Sequence, residues 1–220
     1  VSIGYGYADF GWQKSGHVFS LPHVAEVQAA ERVLEAVAPW ASHVRFMKTG
    51  SEALQAAVMV VRAATQRGVV LVADNAYHGW HAWFQASQAR DMDGQSVDAV
   101  TMLRGAWSAD DVWSNGTPTA YTTTIARYRY GDIESLERAA ETFAGMTTFP
   151  DAKAIRNVAA VIVEPARWEP TDTGWLRAVK DWCARHGALL IFDEMIYGGR
   201  WALGGATQFF GVTPDLACYG

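Results

Sequence analysis

Three short runs of apolar residues most strongly constrain the fold of this 220-residue chain. They are Val69 to Ala73, Val158 to Val163 and Ala188 to Phe192. Runs of this length without alternating polar residues are typical of strands that are covered on both faces. Helix-forming segments lie between them, and strand–helix–strand units build a mostly parallel sheet flanked by helices. The sequence therefore predicts a single α/β unit whose sheet is covered on both faces.

Periodicity and end signals predict the remaining elements. Apolar residues at helical spacing, together with capping residues, favour four helices. They are a helix carrying Val24 to Val37 between Pro22 and Pro39, one from Glu52 to Arg67 stopped by Gly68, one capped by Asp132, and one from Trp175 to His186 closed by Gly187. Two further strands are expected at Val44 to Met47 and at Thr122 to Tyr128. From Phe84 to Pro118 the periodicity is lost, which predicts a long, partly irregular excursion.

Charge and composition narrow the function. The net charge is −5, and none of the 18 lysines and arginines form a run, so nothing favours nucleic acid or an anionic membrane surface as a partner. No window reaches the ~18 consecutive apolar residues of a membrane span, and the first residues do not resemble a signal peptide. A small-molecule partner and a cytoplasmic location are expected. Cys183 and Cys218 are far apart in sequence, which favours free thiols over a disulfide.

The first candidate site is the turn at Thr49-Gly50-Ser51-Glu52. Ligands of open α/β sheets bind beyond the carboxyl ends of the strands, and this turn leads directly into a helix. Free amides, the helix dipole and the hydroxyls of Thr49 and Ser51 could together hold a phosphate. The alternative is an ordinary helix cap by Ser51 with Glu52 in the first turn.

A second candidate site is Tyr77-His78-Gly79, just past the strand that ends at Ala73. The aromatic ring could stack on a planar cofactor or substrate, and Gly79 permits a close backbone approach. The alternative is a packed turn. His78 and His81 have no third ligand at a suitable spacing, so no metal site is predicted. Four tryptophans in and after this turn could line a pocket or form a packed flap: Trp80, Trp83, Trp107 and Trp113.

Two carboxylates complete the candidate residues. Glu164 follows the strand that ends at Val163, and Asp193 follows the strand that ends at Phe192. A carboxylate in such a place needs a cation or hydrogen-bond donors, because desolvation of an unpaired charge is costly. A bound pyridinium N–H could be the cation for Asp193, whereas the alternative is that Asp193 caps the next turn.

Taken together, these motifs resemble the class III, pyridoxal-phosphate-dependent aminotransferases. The branch that is most similar contains glutamate-1-semialdehyde aminomutase and its aminotransferase relatives. The motifs that carry the resemblance are Met47-Lys-Thr-Gly-Ser-Glu-Ala53, Tyr77-His-Gly79, Val161-Ile-Val-Glu-Pro165, Leu190-Ile-Phe-Asp-Glu194 and Gly204-Gly-Ala-Thr-Gln-Phe-Phe-Gly-Val-Thr-Pro-Asp-Leu216. The resemblance implies the large domain of a fold type I pyridoxal-phosphate enzyme, pyridoxal 5'-phosphate as cofactor and a homodimer.

The resemblance also implies a role for individual residues. By this match, Gly50 and Ser51 bind the cofactor phosphate, and Tyr77 covers one face of the pyridine ring with His78 as its neighbour. Asp193 pairs with the pyridine nitrogen and keeps the ring protonated, so that the ring acts as an electron sink. Met195 stands where the family usually has Val under the ring, and Met fills irregular apolar gaps. Glu169 aligns near the ring hydroxyl.

The chain departs from the family pattern in two ways. Where the family has segments such as Val-Ala-Gly-Asn, this chain has Ala166-Arg-Trp-Glu169, which is expected to reshape the substrate side. In the family, a lysine that forms the Schiff base follows directly after the position of Gly220. None of the four lysines present replaces it: Lys14, Lys48, Lys153 and Lys180. The expectation is a partial large domain spanning 1–220, without the family's N-terminal segment and C-terminal small domain and inactive by itself.

The implied function is transamination between an amine donor and a keto or aldehyde acceptor by a ping-pong mechanism. One alternative is glutamate-1-semialdehyde 2,1-aminomutase, which moves the amino group within one substrate. A second, of another class, is a non-catalytic remnant of the fold or one part of a split protein. A nicotinamide-dependent dehydrogenase is disfavoured because no GxGxxG follows a strand. The tryptophan-rich stretch and the segment from Arg167 to Glu169 are expected to shape substrate preference.

Overall fold

The computed structural model describes residues 24–74, 76–86, 124–142, 157–167 and 171–220. Six α-helices lie in these ranges: α1 (Val24–Arg32), α2 (Gly50–Thr65), α3 (Ala82–Ala86), α4 (Ile133–Thr142), α5 (Thr173–His186) and α6 (Gly205–Phe210). A π-helical turn, Val33–Val37, continues α1. The five strands are β1 (Val69–Ala73), β2 (Ile125–Tyr128), β3 (Val158–Val163), β4 (Leu189–Glu194) and β5 (Leu216–Tyr219). The α/β class predicted from the sequence is confirmed.

The strands form one parallel sheet in the order β2-β1-β3-β4-β5. β1 pairs with β2 and β3, and β4 pairs with β3 and β5, all in parallel. All strands of a parallel sheet point the same way, so the residues after β1, β3, β4 and β5 lie along one edge. The sequence motifs at the ends of separate strands are thereby brought to the same side of the molecule.

Apolar cores cover both faces of the sheet, as the three apolar runs predicted. Val69, Leu71 and Ala73 of β1 face a core that includes Leu136 of α4 and Trp182 of α5. Val70 and Val72 face the opposite core, which is built mainly on α2 and α3. The members of that second core on α2 are Leu54, Ala57, Val58 and Val61. Because both cores are continuous across β1, β3 and β4, the sheet provides a rigid support for the edge at which its strands end.

Helix ends explain several of the predicted boundaries. Asp132 accepts a hydrogen bond from the backbone N–H of Ser135 (2.9 Å), as expected of a cap for α4. Gly187 closes α5 in the left-handed conformation with φ of 63°, also as expected. The stop of α2 was predicted at Gly68, but the helix ends at Thr65 and is capped by Gln66, which adopts φ of 56°. Its N–H bonds to the carbonyl of Arg62, so the helix is closed two residues early.

Other predictions need correction. Val44 to Met47 do not form a strand, and Phe46 and Met47 are exposed, 41% and 38%, with no sheet neighbour in the described ranges. β5 and α6 were not predicted, because they have only four and six residues. The start of the Phe84–Pro118 excursion is helical in α3, and residues 87–123 lie outside the described ranges. In the part of the chain that is described, no helix is long and apolar enough to cross a membrane.

Candidate functional site at the carboxyl edge of the sheet

The N-terminus of α2 begins with a capping box that leaves two amides free. Thr49 Oγ1 accepts from the backbone N–H of Glu52 (3.2 Å), and Glu52 Oε2 accepts from the N–H groups of Lys48 (2.8 Å) and Thr49 (3.1 Å). The helix cap is therefore Thr49 and not Ser51, and the Thr49 oxygen accepts one hydrogen bond in this role. The amides of Gly50 and Ser51 come next, and neither meets an acceptor in the described ranges. Free amides at a helix start attract an anion.

Ser51 is held in place by the loop after β1. Its Oγ accepts from the backbone N–H of Trp80 (2.9 Å), so its own hydroxyl proton stays available to a ligand. Gly79 in this loop has φ of 104°, and a Cβ there would lie 2.9 Å from Ser51 Cα. The sequence predicted that the backbone at Gly79 comes close to another group, and that group is Ser51. His81 Nε2 bonds to the Ser51 carbonyl and fastens the same loop to α2.

The same loop contributes a histidine to a buried histidine–carboxylate pair. His78 Nδ1 is 2.7 Å from Asp193 Oδ2, and the two residues are 2% and 5% exposed. The ring nitrogen donates to the carboxylate, which is the acceptor of the pair. Asp193 Oδ1 also accepts from the N–H of Met195 (3.2 Å). His78 Nε2 is buried without a partner in the described part of the chain, which is unusual for a polar atom in a folded core.

Met195 joins the helix start to the end of β5. A Cβ built at Gly50 would lie 2.7 Å from Met195 Sδ, and one built at Gly220 would lie 2.8 Å from the same atom. The thioether therefore packs between two glycines that can tolerate no side chain without movement. Since Met195 is two residues after Asp193, the buried carboxylate and the free amides of α2 belong to one site.

Glu164 is paired on the neighbouring strand end. Arg167 Nε is 3.1 Å from Glu164 Oε2. The guanidinium also donates to the Asp74 carbonyl (2.9 Å), and its central carbon lies 4.3 Å from the centre of the Tyr130 ring. Tyr130 in turn donates to the Glu164 carbonyl (2.7 Å). Burial raises the pKa of Glu164, and Arg167 and His78 oppose that shift. The compensating cation that the sequence predicted for Glu164 is therefore Arg167.

The predicted site residues divide into three groups. Gly50, Ser51, His78, Asp193 and Met195 lie together at the edge just described. Tyr77 lies in the same loop with its side chain 57% exposed, so its ring is accessible. Glu169 lies outside the described residues. No group of three metal-binding side chains occurs in the described part of the chain.

The tryptophans differ in their surroundings. Trp83 is 5% exposed, and its indole N–H donates to Gln55 Oε1 (2.6 Å), so it is packed on α2 as part of the core. Trp80 is 78% exposed. Trp107 and Trp113 lie outside the described residues. Both cysteines are free, as the sequence predicted, and both are buried.

Similarity to known proteins agrees with this fold. The family model for class-III aminotransferases matches residues 12–220. Glutamate-1-semialdehyde 2,1-aminomutase from Desulfotalea psychrophila is 35% identical over 209 residues, which cover 93% of this chain and 43% of that protein. An omega-transaminase from Sphaerobacter thermophilus superposes with a TM-score of 0.72 at 27% identity, over 95% of this chain and 44% of the other. The FumI protein from Sphingopyxis sp. MTA144, solved in its PLP internal aldimine form, gives 0.70 at 25% identity, over 96% and 43%.

The parallel sheet and these structural neighbours define the chain's class as that of the fold type I pyridoxal-phosphate transaminases. Within that class, the chain belongs to the class-III aminotransferase family. It spans less than half the length of the curated relative that it matches, 43% of the aminomutase.

Proposed function

We propose that this chain, residues 1–220, is part of the cofactor-binding large domain of a pyridoxal-phosphate-dependent aminotransferase. The intact protein would move an amino group between an amine donor and a keto or aldehyde acceptor. The observation that carries the proposal is the meeting of two groups at one edge of the sheet. They are the free amides at the start of α2 and the buried carboxylate of Asp193, with Met195 packed against that helix start.

The start of α2 fits the phosphate of the cofactor. The amides of Gly50 and Ser51 would donate to phosphate oxygens, and the Ser51 hydroxyl would add a third donor. Glu52 occupies the two preceding amides and thereby confines the anion to this place. The Thr49 oxygen accepts from Glu52 in the cap, and its hydroxyl proton would remain available to a phosphate oxygen.

Asp193 fits the pyridine nitrogen. It accepts two hydrogen bonds in the structure, and each carboxylate oxygen retains a lone pair for a further donor. His78 would hold the carboxylate in a fixed orientation through its hydrogen bond to Oδ2. Pyridoxal phosphate, when bound, supplies an electron sink for the electron pair left on the substrate carbon after its proton departs. In this role Asp193 would keep a positive charge on the ring.

The remaining predicted residues would shape the space around the ring. Tyr77 is accessible to stack on one face, and Met195 would pack on the other. From the family resemblance, we also propose that Glu169 lies near the ring hydroxyl. The Schiff-base lysine would follow Gly220, whose backbone lies against Met195.

The experiment that tests this proposal is a titration of the intact apoprotein with pyridoxal phosphate, followed by absorbance. Ser51→Ala is expected to weaken binding by roughly tenfold, because one charge-assisted hydrogen bond to the phosphate is lost. Binding of pyridoxal, which has no phosphate, is expected to be unchanged. Ser42→Ala is the matched control, since Ser42 is exposed and its side chain bonds to neighbouring His43. An intact wild-type protein that takes up no pyridoxal phosphate would refute the proposal.

A second candidate, glutamate-1-semialdehyde 2,1-aminomutase, is favoured by the 35% identity to an enzyme of that name. The two candidates differ in whether a second substrate is needed. An aminomutase would convert glutamate-1-semialdehyde with no added keto acid or amine donor. Strict dependence on an added acceptor would exclude that activity and leave the aminotransferase.

We also propose that the intact protein is a homodimer. Supporting this, Val24 and Val27 of α1 and Met59 and Val60 of α2 are more than half exposed, between 53% and 63%. Large apolar side chains that are exposed on helices often lie at subunit contacts. Sedimentation of the intact protein as a monomer at all concentrations would contradict the dimer.

A further inference from the structure

Glu194 is a buried carboxyl group that the proposed chemistry does not use. It is the last residue of β4, directly after Asp193, and its side chain is fully buried at 0% exposure. Carboxyl groups are rarely buried this completely unless a cation or several donors compensate their charge. The contacts of Glu194 therefore decide its charge state and its role.

One oxygen of Glu194 holds the start of α6. Oε2 accepts from the backbone N–H of Ala206 at 2.6 Å. The preceding residue, Gly205, has φ of 60°, and a Cβ there would lie 2.9 Å from Glu194 Cδ and overlap the carboxyl oxygens. Only glycine fits between the helix and the carboxyl group. α6 is thereby fastened to the end of β4.

The other oxygen faces β5 and the segment after α1. Glu194 Oε1, the Tyr219 hydroxyl and the Trp40 indole nitrogen are all buried, and none has a hydrogen bond of standard geometry in the described ranges. Tyr219 is nevertheless the register partner of Glu194 on β5, and it also interacts with Trp40. Gly198 completes the enclosure, because a Cβ there would lie 2.8 Å from Tyr219 Cδ1.

No cation compensates Glu194 in the described part of the chain. The titratable groups that face it are Asp193 on its own strand and Tyr219 on β5. α6 contributes only backbone, the turn after β4 contributes Gly198, and Trp40 carries no charge. Burial is the main cause that raises the pKa of Glu194 from 4.5 to about 7. The Ala206 N–H and the Tyr219 hydroxyl oppose this increase, and the charge of Asp193 adds to it.

We propose that Glu194 is a positioning residue that acts as a neutral carboxylic acid. Its Oε2 accepts from α6, and its protonated Oε1 donates to the Tyr219 hydroxyl. The end of β4 is thus clamped between α6 and β5, which holds the adjacent Asp193 in place. The clamp itself is independent of the proposed function, and only the consequence for the cofactor rests on it.

Glu194→Gln tests the neutral state, because the amide keeps the shape, the acceptor and a donor but cannot ionise. The measurement is urea unfolding of the intact protein at pH 5 and pH 8. A carboxyl whose pKa is raised on folding stabilises below its unfolded value and loses that contribution as pH rises through the folded value. Relative to Glu194→Gln, the folding equilibrium constant of the wild type is therefore expected to fall roughly tenfold or more between pH 5 and pH 8.

Glu137→Gln, on the exposed face of α4, is the matched control and is expected to show no such difference. Glu194→Ala removes the acceptor and the donor together, and it is expected to weaken folding at both pH values. A Glu194→Gln variant that fails to fold, or that is weakened equally at both pH values, would overturn the proposal.

Pyridoxal-phosphate affinity separates the clamp from the proposed function. If both hold, Glu194→Ala weakens cofactor binding several-fold, and Glu194→Gln restores it at pH 8. If the wild type binds no cofactor, the proposed function fails, while the pH dependence of unfolding still decides the clamp. Equal cofactor affinity in the wild type and Glu194→Ala would remove the link to Asp193.

Discussion

Gly79 is the residue that lets the loop after β1 reach the start of α2. Its φ of 104° is a conformation that other residues rarely adopt, and Ser51 Cα occupies the space that a side chain would need. The neighbouring Trp80 N–H can bond to Ser51 Oγ only with the backbone at this distance. Ser51 is therefore oriented by the loop as well as by its own helix.

Gly79→Ala is expected to lower the free energy of unfolding by about 2 kcal/mol or more, because it adds backbone strain and a clash. Gly131→Ala is the matched control, since Gly131 also has a positive φ, 82°, but has open space around it. The control is expected to cost about 1 kcal/mol, from strain alone. Equal losses in urea unfolding of the two variants would show that the approach to Ser51 contributes nothing.

Single residues differ in how far the sequence predicts them. A close approach at Gly79 could be predicted, but its partner Ser51 lies 28 positions earlier and follows only from the fold. The need of Glu164 for a compensating charge was likewise predictable from its position after an apolar strand. That Arg167 supplies it, while also reaching the Asp74 carbonyl and the Tyr130 ring, depends on three neighbouring strand ends.

The capping box of α2 sets where the helix begins and which amides remain free. Thr49→Ala is expected to lower the free energy of unfolding by about 1 kcal/mol and to weaken binding of pyridoxal phosphate, because the helix start loses its cap. Thr65→Ala, at the other end of α2, is the control. Its hydroxyl donates to the Val61 carbonyl (2.7 Å), and alanine is the better helix former there. Cofactor affinity that falls equally in both variants would argue against a specific role for the cap.

Elements with long apolar or periodic patterns were predictable, and short ones were not. β1, β3 and β4 follow directly from their apolar runs, and α5 follows from its spacing and Gly187. β5 has only four residues and gains its place from pairing with β4. The segment from Val44 to Met47 has a strand-like sequence but is not part of the sheet. It has no pairing partner in the described ranges. α2 is capped by Gln66, two residues before the predicted stop at Gly68.

At the scale of the whole molecule, the parallel sheet brings residues that are far apart in sequence together at the ends of its strands. His78 and Asp193 are separated by 115 positions and lie 2.7 Å apart. The sequence predicted the parallel sheet, but not the order β2-β1-β3-β4-β5, since that order depends on contacts between distant segments. The family resemblance predicted which residues would meet, and the structure adds how Met195 and the Gly79 loop bring the two halves of the site together.

The role that we propose for Asp193 at the cofactor nitrogen is tested most directly by the rate of the amine half-reaction in the intact protein. Asp193→Asn is expected to retain pyridoxal phosphate, because the start of α2 is unchanged, but to react about a hundredfold or more slowly. N-methylated pyridoxal phosphate, whose ring is positively charged without a carboxylate, is expected to restore part of that rate. Asp181→Asn, exposed on α5, serves as the control. An Asp193→Asn variant that reacts as fast as the wild type would contradict the assignment of this edge of the sheet as the cofactor site.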